Sequence, residues 1–375
     1  MPAEAATAAD LIELPREAVE ALLAAHFAER GQPGYRSAQT LAWLYERDAT
    51  SFAGMTDLPA DERAALERTF RLTAPDLAVL SRSTDGTAKQ LWRLADGELI
   101  ESVLIPAADR LTLCISSQAG CAMGCVFCAT GWSGYRRQLT AGEIVAQFRG
   151  ARRWAAENGL GAISNVVFMG MGEPFANTAA VMGSLTLLNH AYGFGARRTT
   201  VSTVGMVPGI LELAARPEQF RLAVSLHAAD SGLRAKLVPV ERKYPLPRLL
   251  EALRAFDAAG GKRITFEYVM IDGVNDGPDQ ARRLAGLVRE FAAHINLIPF
   301  NPIPGAGWRA TPPERIRAFA AILESNGVGA TVREPRGRDI AAACGQLRAE
   351  HETRPPRPFT QLMASAGASP AQDPL

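Results

Sequence analysis

Four of the five cysteines fall within CISSQAGCAMGCVFCAT, Cys114 to Thr130, and the fifth, Cys344, lies more than two hundred residues further on. Cys121, Cys125 and Cys128 form a CxxxCxxC spacing without a fourth cysteine or a histidine on the same loop; the nearest histidine in sequence is His190. A structural zinc ion takes four protein ligands. Three thiolates around a cubane of four irons leave one iron open to a further ligand, and thiolate is the usual ligand of such clusters. A zinc site completed from a distance and an incidental group of buried thiols remain as alternatives at this level. Cys114 and Cys344 need a separate account, since a single buried cysteine is ordinarily a small apolar residue.

The elements that must hold these thiols follow from hydrophobic periodicity. Beyond residue 107, short β-branched runs alternate with longer amphipathic segments such as AGEIVAQFRGARRWAAEN, PLPRLLEALRAFDAAG and DQARRLAGLVREFAAH. Leu111–Ser116, Asn165–Met169, Thr199–Thr203, Arg221–Leu226, Ile264–Ile271 and Ile295–Phe300 read as strands, and residues 329–334 offer one more. Six βα units in series predict an α/β fold with a curved parallel sheet, a partial (β/α)6 barrel over residues 107–348. The CxxxCxxC loop follows its first strand. FMGMGEP (168–174), VSTVG (201–205), VSLH (224–227) and PFNPIPG (299–305) each fall at the C-terminal end of a strand, the face on which barrel enzymes build their sites. The glycines of FMGMGEP let backbone approach a ligand, and Glu173 is placed to accept from an ammonium group. GMGEPF lacks the third glycine of a dinucleotide loop. A plain strand-to-helix turn explains any one of these stretches; their shared position is the informative feature.

Upstream, residues 11–76 read as a small helical domain. LPREAVEALLAAHF places Val19, Leu22, Leu23 and Phe27 at helical spacing, and SAQTLAWLYER places Leu41, Leu44 and Tyr45 likewise, with GQPGY as a turn between them. Residues 77–106 shorten towards strands, and KQLWRLADGELIESVLIP resembles a hairpin turned at Asp96-Gly97. Residues 1–10 and the Pro-, Ala- and Ser-rich stretch 349–375 are expected to be disordered. In GRDIAAACGQL, Asp339 is expected to cap a helix that carries Cys344 near its end, where Gly345 interrupts it.

The 375 residues and 47% apolar content suit a globular chain with a substantial core. The N-terminus has no basic start followed by an apolar run, and the uncharged stretch from Leu111 to Tyr135 is broken by Ser, Gln, Gly and Thr. A cytoplasmic protein without membrane segments is therefore expected, and in that reducing setting clustered cysteines point to metal or redox chemistry before disulfides. Net charge is only +1, but residues 1–75 hold 12 acidic against 7 basic residues, which leaves +6 on the remainder. Only Lys89, Lys236, Lys243 and Lys262 of the 40 basic residues are lysines. The arginine excess suits phosphate contacts, and a GC-rich coding bias gives the same composition.

CxxxCxxC with an aromatic, Phe127, before its last cysteine resembles the radical S-adenosylmethionine (SAM) superfamily. That resemblance implies a [4Fe-4S] cluster on Cys121, Cys125 and Cys128, whose open iron chelates SAM, and assigns Gly172, Glu173, Ser202, Ser225, Leu226, His227 and Asn301 to holding SAM. CISSQAGCAMGCVFCATG, FMGMGEP, VSTVGMVPGI, VSLHA, NLIPFNPIPG and RGRDIAAACGQL, in this order, are similar to the bacterial dual-specificity 23S rRNA and tRNA adenine C2-methyltransferases of the RlmN type. GYRSAQTLAWLYERDATSFAGMTDLP is similar to the helical accessory domain of that family, so the likeness runs from about residue 11 to residue 348. Departures are Ala229, where proline is expected, and Arg338, where an acidic residue is common; neither is expected to touch a chemical role.

Carbon 2 of adenine lies between two ring nitrogens and is too electron-poor to attack the methyl of SAM. The family's solution, implied here by resemblance, gives Cys344 a methyl group as a thiolate nucleophile. A radical from a second SAM then removes hydrogen from that thioether, and the resulting carbon radical adds to the base. Cys114 attacks the Cys344 sulfur, leaving a transient disulfide, and Glu101 is the implied base for the carbon 2 proton. In ELIESVLIP, Glu101 shares a strand face with Leu99, Val103 and Ile105, where partial burial is expected to make it a better base. The implied partners are 23S rRNA, tRNA and an electron donor such as reduced flavodoxin, with a monomeric enzyme. Arg136, Arg137, Arg149, Arg152, Arg153, Arg197 and Arg198 are candidate phosphate contacts, although each reads equally as a solvated charge. Two rivals stand beside this reading: an enzyme that methylates carbon 8 of the same rRNA adenosine, and a zinc-stapled, non-catalytic RNA-binding module.

Overall fold

A computed structural model describes residues 8–260, 263–291, 293–303 and 305–347. The stretch from residue 349 on, expected above to be disordered, lies outside the described residues, as do residues 1–7. Chain order begins β1 (Ala9–Asp10), α1 (Arg16–Glu29), α2 (Tyr35–Tyr45), α3 (Ala60–Thr69) and β2 (Phe70–Arg71). Because β1 pairs in parallel with β2, regular structure starts inside the segment assigned to a disordered N-terminus. Asp10 fixes this pairing: its carboxylate accepts from Ile12 N, Thr73 N and Thr73 Oγ1.

Three antiparallel strands follow, β3 (Asp76–Arg82), β4 (Ala88–Arg93) and β5 (Leu99–Ala107). The expected hairpin turn at Asp96-Gly97 lies between β4 and β5, with Gly97 at φ +88. The extension is larger than a hairpin, and it is not a separate layer. β5 pairs antiparallel with β6 (Arg110–Cys114), so the extension continues the barrel sheet. Next come β7 (Gln118–Gly120), α4 (Ala129–Ser133), β8 (Tyr135–Gln138), α5 (Ala141–Glu157), β9 (Asn165–Phe168), α6 (Thr178–Thr186), β10 (Thr199–Thr203), α7 (Val207–Ala215) and β11 (Arg221–Ser225). The chain then runs through α8 (Ser231–Leu237), α9 (Leu246–Ala258), β12 (Ile264–Met270), α10 (Pro278–Val288), β13 (His294–Pro299), α11 (Pro313–Ser325) and β14 (Ala330–Val332).

The sheet order is β14-β13-β12-β11-β10-β9-β6-β5-β4-β3. All six strands read from sequence are present and parallel, and residues 330–332 supply a seventh beside β13. The result is a partial α/β barrel whose parallel strands all aim their C-terminal ends at one face. Local signals place the helices. α5 starts on a capping box in which Thr140 Oγ1 accepts from Glu143 N and Glu143 Oε2 accepts from Thr140 N. α7, α9, α10 and α11 carry proline in the first turn, where its missing N–H costs nothing.

One apolar core runs from Val19, Phe27 and Leu44 of the helical domain to Ile144, Phe148, Val201 and Phe266 of the barrel. Arginines of α5 lock the two parts together. Arg149 Nη2 donates to Ala49 O, Arg152 Nη2 to Tyr45 O, and Arg152 Nε to Asp48 Oδ2 at 2.6 Å. Arg153 Nη1 donates to Asp48 O, and Arg137 forks onto Glu143 and Asp96. These four were candidate phosphate contacts; the structure instead spends them inside the protein, Arg149 being 3% exposed. Arg197 donates to Gln219 Oε1 and remains exposed, as do Arg136 and Arg198. Among the described residues no helix is long and apolar enough to cross a membrane.

Candidate active site

The loop after β6 turns back on itself before it reaches the CxxxCxxC cysteines. Gly120 (φ +79) makes this possible, because a Cβ there would lie 2.0 Å from Gly134 O. Cys121 and Cys125 are buried and Cys128 half-buried. Burial pushes the Cys121 thiol up to about 12 and Cys125 well above its ordinary value, and repulsion among the three adds to both. Cys121 and Cys125, buried in this way, reach the thiolate form only beside strong positive charge. Among the described residues, no group of three or more His, Cys, Asp or Glu is arranged around a single ion. The donor set, three thiols on one loop, fits a polynuclear iron–sulfur cluster.

The strand ends assigned to SAM converge beside this loop. Glu173, at the end of β9, is buried; Oε1 accepts from Phe175 N at 3.1 Å and Oε2 from Val204 N at 2.9 Å. Desolvation outweighs these bonds and raises its pKa to about 7. The carboxylate therefore braces the end of β9 against the end of β10 as well as offering its remaining lone pairs to a cation. Gly170 and Gly172 were expected to admit a ligand. They admit the chain itself: a Cβ on Gly170 would lie 2.6 Å from Ile115 O, and one on Gly172 (φ +103) 2.6 Å from Gln118 Cβ. Ser117 Oγ, buried next to this turn, has no hydrogen-bond partner among the described residues, which suits a polar ligand. Ser202 and Ser225 are half-buried near the ends of β10 and β11, and Leu226 is fully buried.

His227 adopts φ +60, an unusual conformation for a residue with a side chain. Its Nδ1 accepts from Val269 N at 3.0 Å, so the ring hydrogen sits on Nε2. Burial, then the nearby Arg234, lowers its pKa to about 3. Phe127, the aromatic before the last cluster cysteine, meets the His227 ring edge-on at 4.4 Å. Arg234 is a component that sequence reading missed. It is fully buried, paired with Glu241, and donates to Val204 O and Leu226 O, joining the ends of β10 and β11. Nothing in DSGLRAKL marks it apart from an ordinary surface arginine.

Cys344 does not ride on a helix. A short 3-10 turn, Arg338–Ile340, precedes an irregular loop, and Gly345 has φ +83. Asp339 caps nothing there: its carboxylate accepts from Ser83 Oγ at 2.6 Å and Thr84 N at 3.2 Å, across the β3–β4 turn. Gly337 N donates to Asp85 Oδ2, and further bonds seat the loop on the cluster loop, Ala129 N to Gly345 O and Thr130 Oγ1 to Leu347 O. Asn301, expected only to hold SAM, also donates from Nδ2 to Cys344 O at 3.1 Å. Arg338 Nε donates to Asn301 Oδ1 at 3.0 Å, so this departure from the family pattern does touch a proposed site residue.

Cys344 is solvent-accessible but recessed, and desolvation, followed by the Glu267 carboxylate, pushes its thiol pKa up. Cys114, at the end of β6, is buried; desolvation raises its thiol further, and Cys344 lies close enough to add to the rise. Cys114, Leu99 and Val103 form one small apolar cluster with Leu91, Met171, Ala342 and Leu347. Glu101 emerges from β5 between Leu99 and Val103, and Val103 pairs directly with Cys114. The expected strand face is thus present, but burial is complete at 1% exposure rather than partial. Lys89, which sequence reading passed over, lies 3.0 Å from Glu101 Oε1.

The sequence and the fold resemble those of known proteins. Residues 115–285 match the Radical SAM superfamily, and residues 9–72 match the family described as "Ribosomal RNA large subunit methyltransferase N-terminal domain". The chain is 50% identical over 343 residues to a "Probable dual-specificity RNA methyltransferase RlmN" of Gemmatimonas aurantiaca, covering 91% of this chain and 93% of the relative. It is 46% identical over 367 residues to a "Dual-specificity RNA methyltransferase RlmN" of an Anaeromyxobacter species, covering 95% and 96%. The crystal structure of a radical SAM methyltransferase from Sphaerobacter thermophilus superposes with a TM-score of 0.85 at 47% identity, covering 91% of this chain and 99% of that one.

Proposed function

The chain belongs to the RlmN family of radical SAM RNA methyltransferases, and from that membership we propose that it methylates carbon 2 of adenosine in two RNAs. These are 23S rRNA, in its peptidyl-transferase region, and tRNA, at the position 3′ of the anticodon. When bound, the [4Fe-4S] cluster on Cys121, Cys125 and Cys128 together with SAM supplies an electrophilic methyl group and a radical able to remove hydrogen from it. Gly172, Glu173, Ser202, Ser225, Leu226, His227 and Asn301 hold SAM. Reduced flavodoxin is the type of electron donor proposed, and the enzyme acts as a monomer.

The chain's own residues divide the remaining work. Cys344 carries the methyl group as a thioether and becomes joined through that carbon to carbon 2 of the base. Glu101 takes the carbon 2 proton, and the odd electron left on the radical adduct returns to the cluster, so that the adenine ring regains a closed shell before the thioether is broken. Cys114 then attacks Cys344 Sγ; the new S–S bond replaces the S–C bond, whose electron pair leaves with the product carbon and is protonated to finish the methyl group. Cys114 is held as a neutral thiol by burial, so its proton must leave as it attacks. The helical domain, residues 11–76, is proposed to grip folded RNA, with residues 77–106 as the extension and 107–348 as the barrel.

The observation that carries this reading is the convergence of Cys114, Cys344 and the Glu101 face at one edge of the barrel, against the cluster loop. Anaerobic incubation of the reconstituted protein with SAM, reductant and either RNA, followed by nucleoside mass spectrometry, tests it. 2-Methyladenosine is expected. 8-Methyladenosine would refute the position, a colourless protein holding one zinc and no iron would refute the chemistry, and full activity of Cys344→Ser would refute the thioether route.

A further inference from the structure

The proposed reaction uses Glu101 but leaves the charge beside it without a role. Lys89 lies within β4 at 6% exposure, with Nζ 3.0 Å from Glu101 Oε1 and 3.4 Å from Ala341 O. In the sheet register Lys89 stands opposite Val103, which stands opposite Cys114, while Leu91 faces Glu101. Lys89 therefore reaches diagonally across the face to Glu101 and outward to the loop that carries Cys344.

We propose that Lys89 is a positioning residue for the proton-transfer step: its ammonium group holds the Glu101 carboxylate ionised and aimed beside the Cys344 loop, and the contact to Ala341 O sets that aim only when the loop is seated. Three observations support this. Leu91, Leu99 and Val103 surround Glu101 with apolar surface, where a carboxylate without a counter-charge would take up a proton and cease to be a base. Fully buried ion pairs contribute little stability relative to apolar replacements, so packing alone gives no reason to place one here. Finally, the lysine's other contact is the backbone three residues before Cys344, which makes base and methyl carrier share one support.

The inference rests on Glu101 as the base, and the test separates the two claims. Glu101→Gln, Lys89→Met and Lys89→Arg are purified with their iron content checked, then incubated with SAM, reductant and tRNA. Turnover is followed by nucleoside mass spectrometry, and stalled covalent RNA–protein adduct on a denaturing gel. The adduct forms before the proton leaves, so loss of the base, or of its aim, traps it. K89M is expected to turn over about 10- to 100-fold more slowly, less than the roughly 10²–10⁴-fold attributed to a positioned acid or base because the base itself is still present, to accumulate adduct as E101Q does, and to shift the acid limb of its pH–rate profile upward. K89R recovers most of the rate. If E101Q accumulates adduct and K89M does not, or if K89M keeps a rate within about twofold of wild type, the Lys89 proposal is overturned while Glu101 stands. If E101Q turns over normally without adduct, the base assignment falls and this proposal with it. Should K89M lack iron, K89Q, which keeps a hydrogen-bond donor without the charge, is read by the same criteria.

Discussion

Substituting Gly337 by alanine tests whether the β3–β4 turn seats the loop that carries Cys344, the proposed methyl carrier. Gly337 has φ +64, and a Cβ added there would lie 2.8 Å from Ala342 Cβ and 2.9 Å from Thr87 Cγ2. The left-handed backbone alone costs a residue with a side chain about 1–2 kcal/mol. Overpacking adds about 1–3 kcal/mol. Neither neighbour can swing aside: Ala342 has no further side-chain torsion, and Thr87 is fully buried. The strain of about 2–5 kcal/mol outweighs one or two of the hydrogen bonds that seat the loop, each contributing about 0.5–1.5 kcal/mol. Lifting the loop moves Cys344 away from Cys114. G337A should therefore lose at least about tenfold in kcat/KM, since 1.4 kcal/mol is one decade, and become more readily cut by protease between residues 335 and 347. Gly327 supplies the control, because it has φ +77 with nothing within 4 Å of an added Cβ. G327A pays the backbone cost without the collision and should keep its activity. If G337A and G327A show equal kcat/KM, the steric seating of the loop is refuted.

Two further perturbations probe the scaffold. Asp48→Asn removes the counter-charge that pairs with Arg152 at 2.5 Å and Arg149 at 3.6 Å; with Arg149 buried, breaking this group should cost about 3 kcal/mol or more, read as a lower urea midpoint and weaker RNA binding. An unchanged midpoint would show that the helical domain is held by apolar packing alone. Glu173, raised from 4.5 to about 7, keeps its proton in the folded chain where the unfolded chain has lost it. Its contribution to stability is therefore fully present below about 4.5 and lost as the pH rises through about 7. His227, lowered to about 3, acts in the opposite direction, destabilising the fold as the pH falls below 6.5. The difference between wild type and Glu173→Gln in chemical denaturation of the cluster-free chain from pH 4.5 to 8 isolates the first effect, and parallel pH profiles would disprove it.

What the sequence revealed was local in origin. CxxxCxxC, the β-branched strands and the Gly/Pro-rich strand ends are each encoded within a few residues, and the parallel topology follows from their alternation. The misreadings share the opposite property. Arg149 and Arg152 look like RNA contacts because their partner Asp48 stands about a hundred residues earlier, in a left-handed turn that no periodicity marks. Asp339 looks like a helix cap because a carboxylate before an alanine run usually is one; it is captured instead by Ser83 and Thr84, more than 250 residues away.

Lys89 and Arg234 were illegible for the same reason, since a charge acquires meaning only from what surrounds it. Lys89 sits in an alternating strand pattern that predicts an outward side chain as readily as an inward one, and β3 and β5 on its two sides do not decide between the faces. The decision is made by the loop around Cys344, which covers one face of the extension through Ala342 and Leu347 and turns a surface lysine into a buried one. The loop that brings the fifth cysteine to the barrel thus also creates the environment in which Glu101 needs a counter-charge. Seating the proposed methyl carrier and assembling the proposed proton acceptor are one packing event, and a substitution that loosens the loop is expected to weaken both.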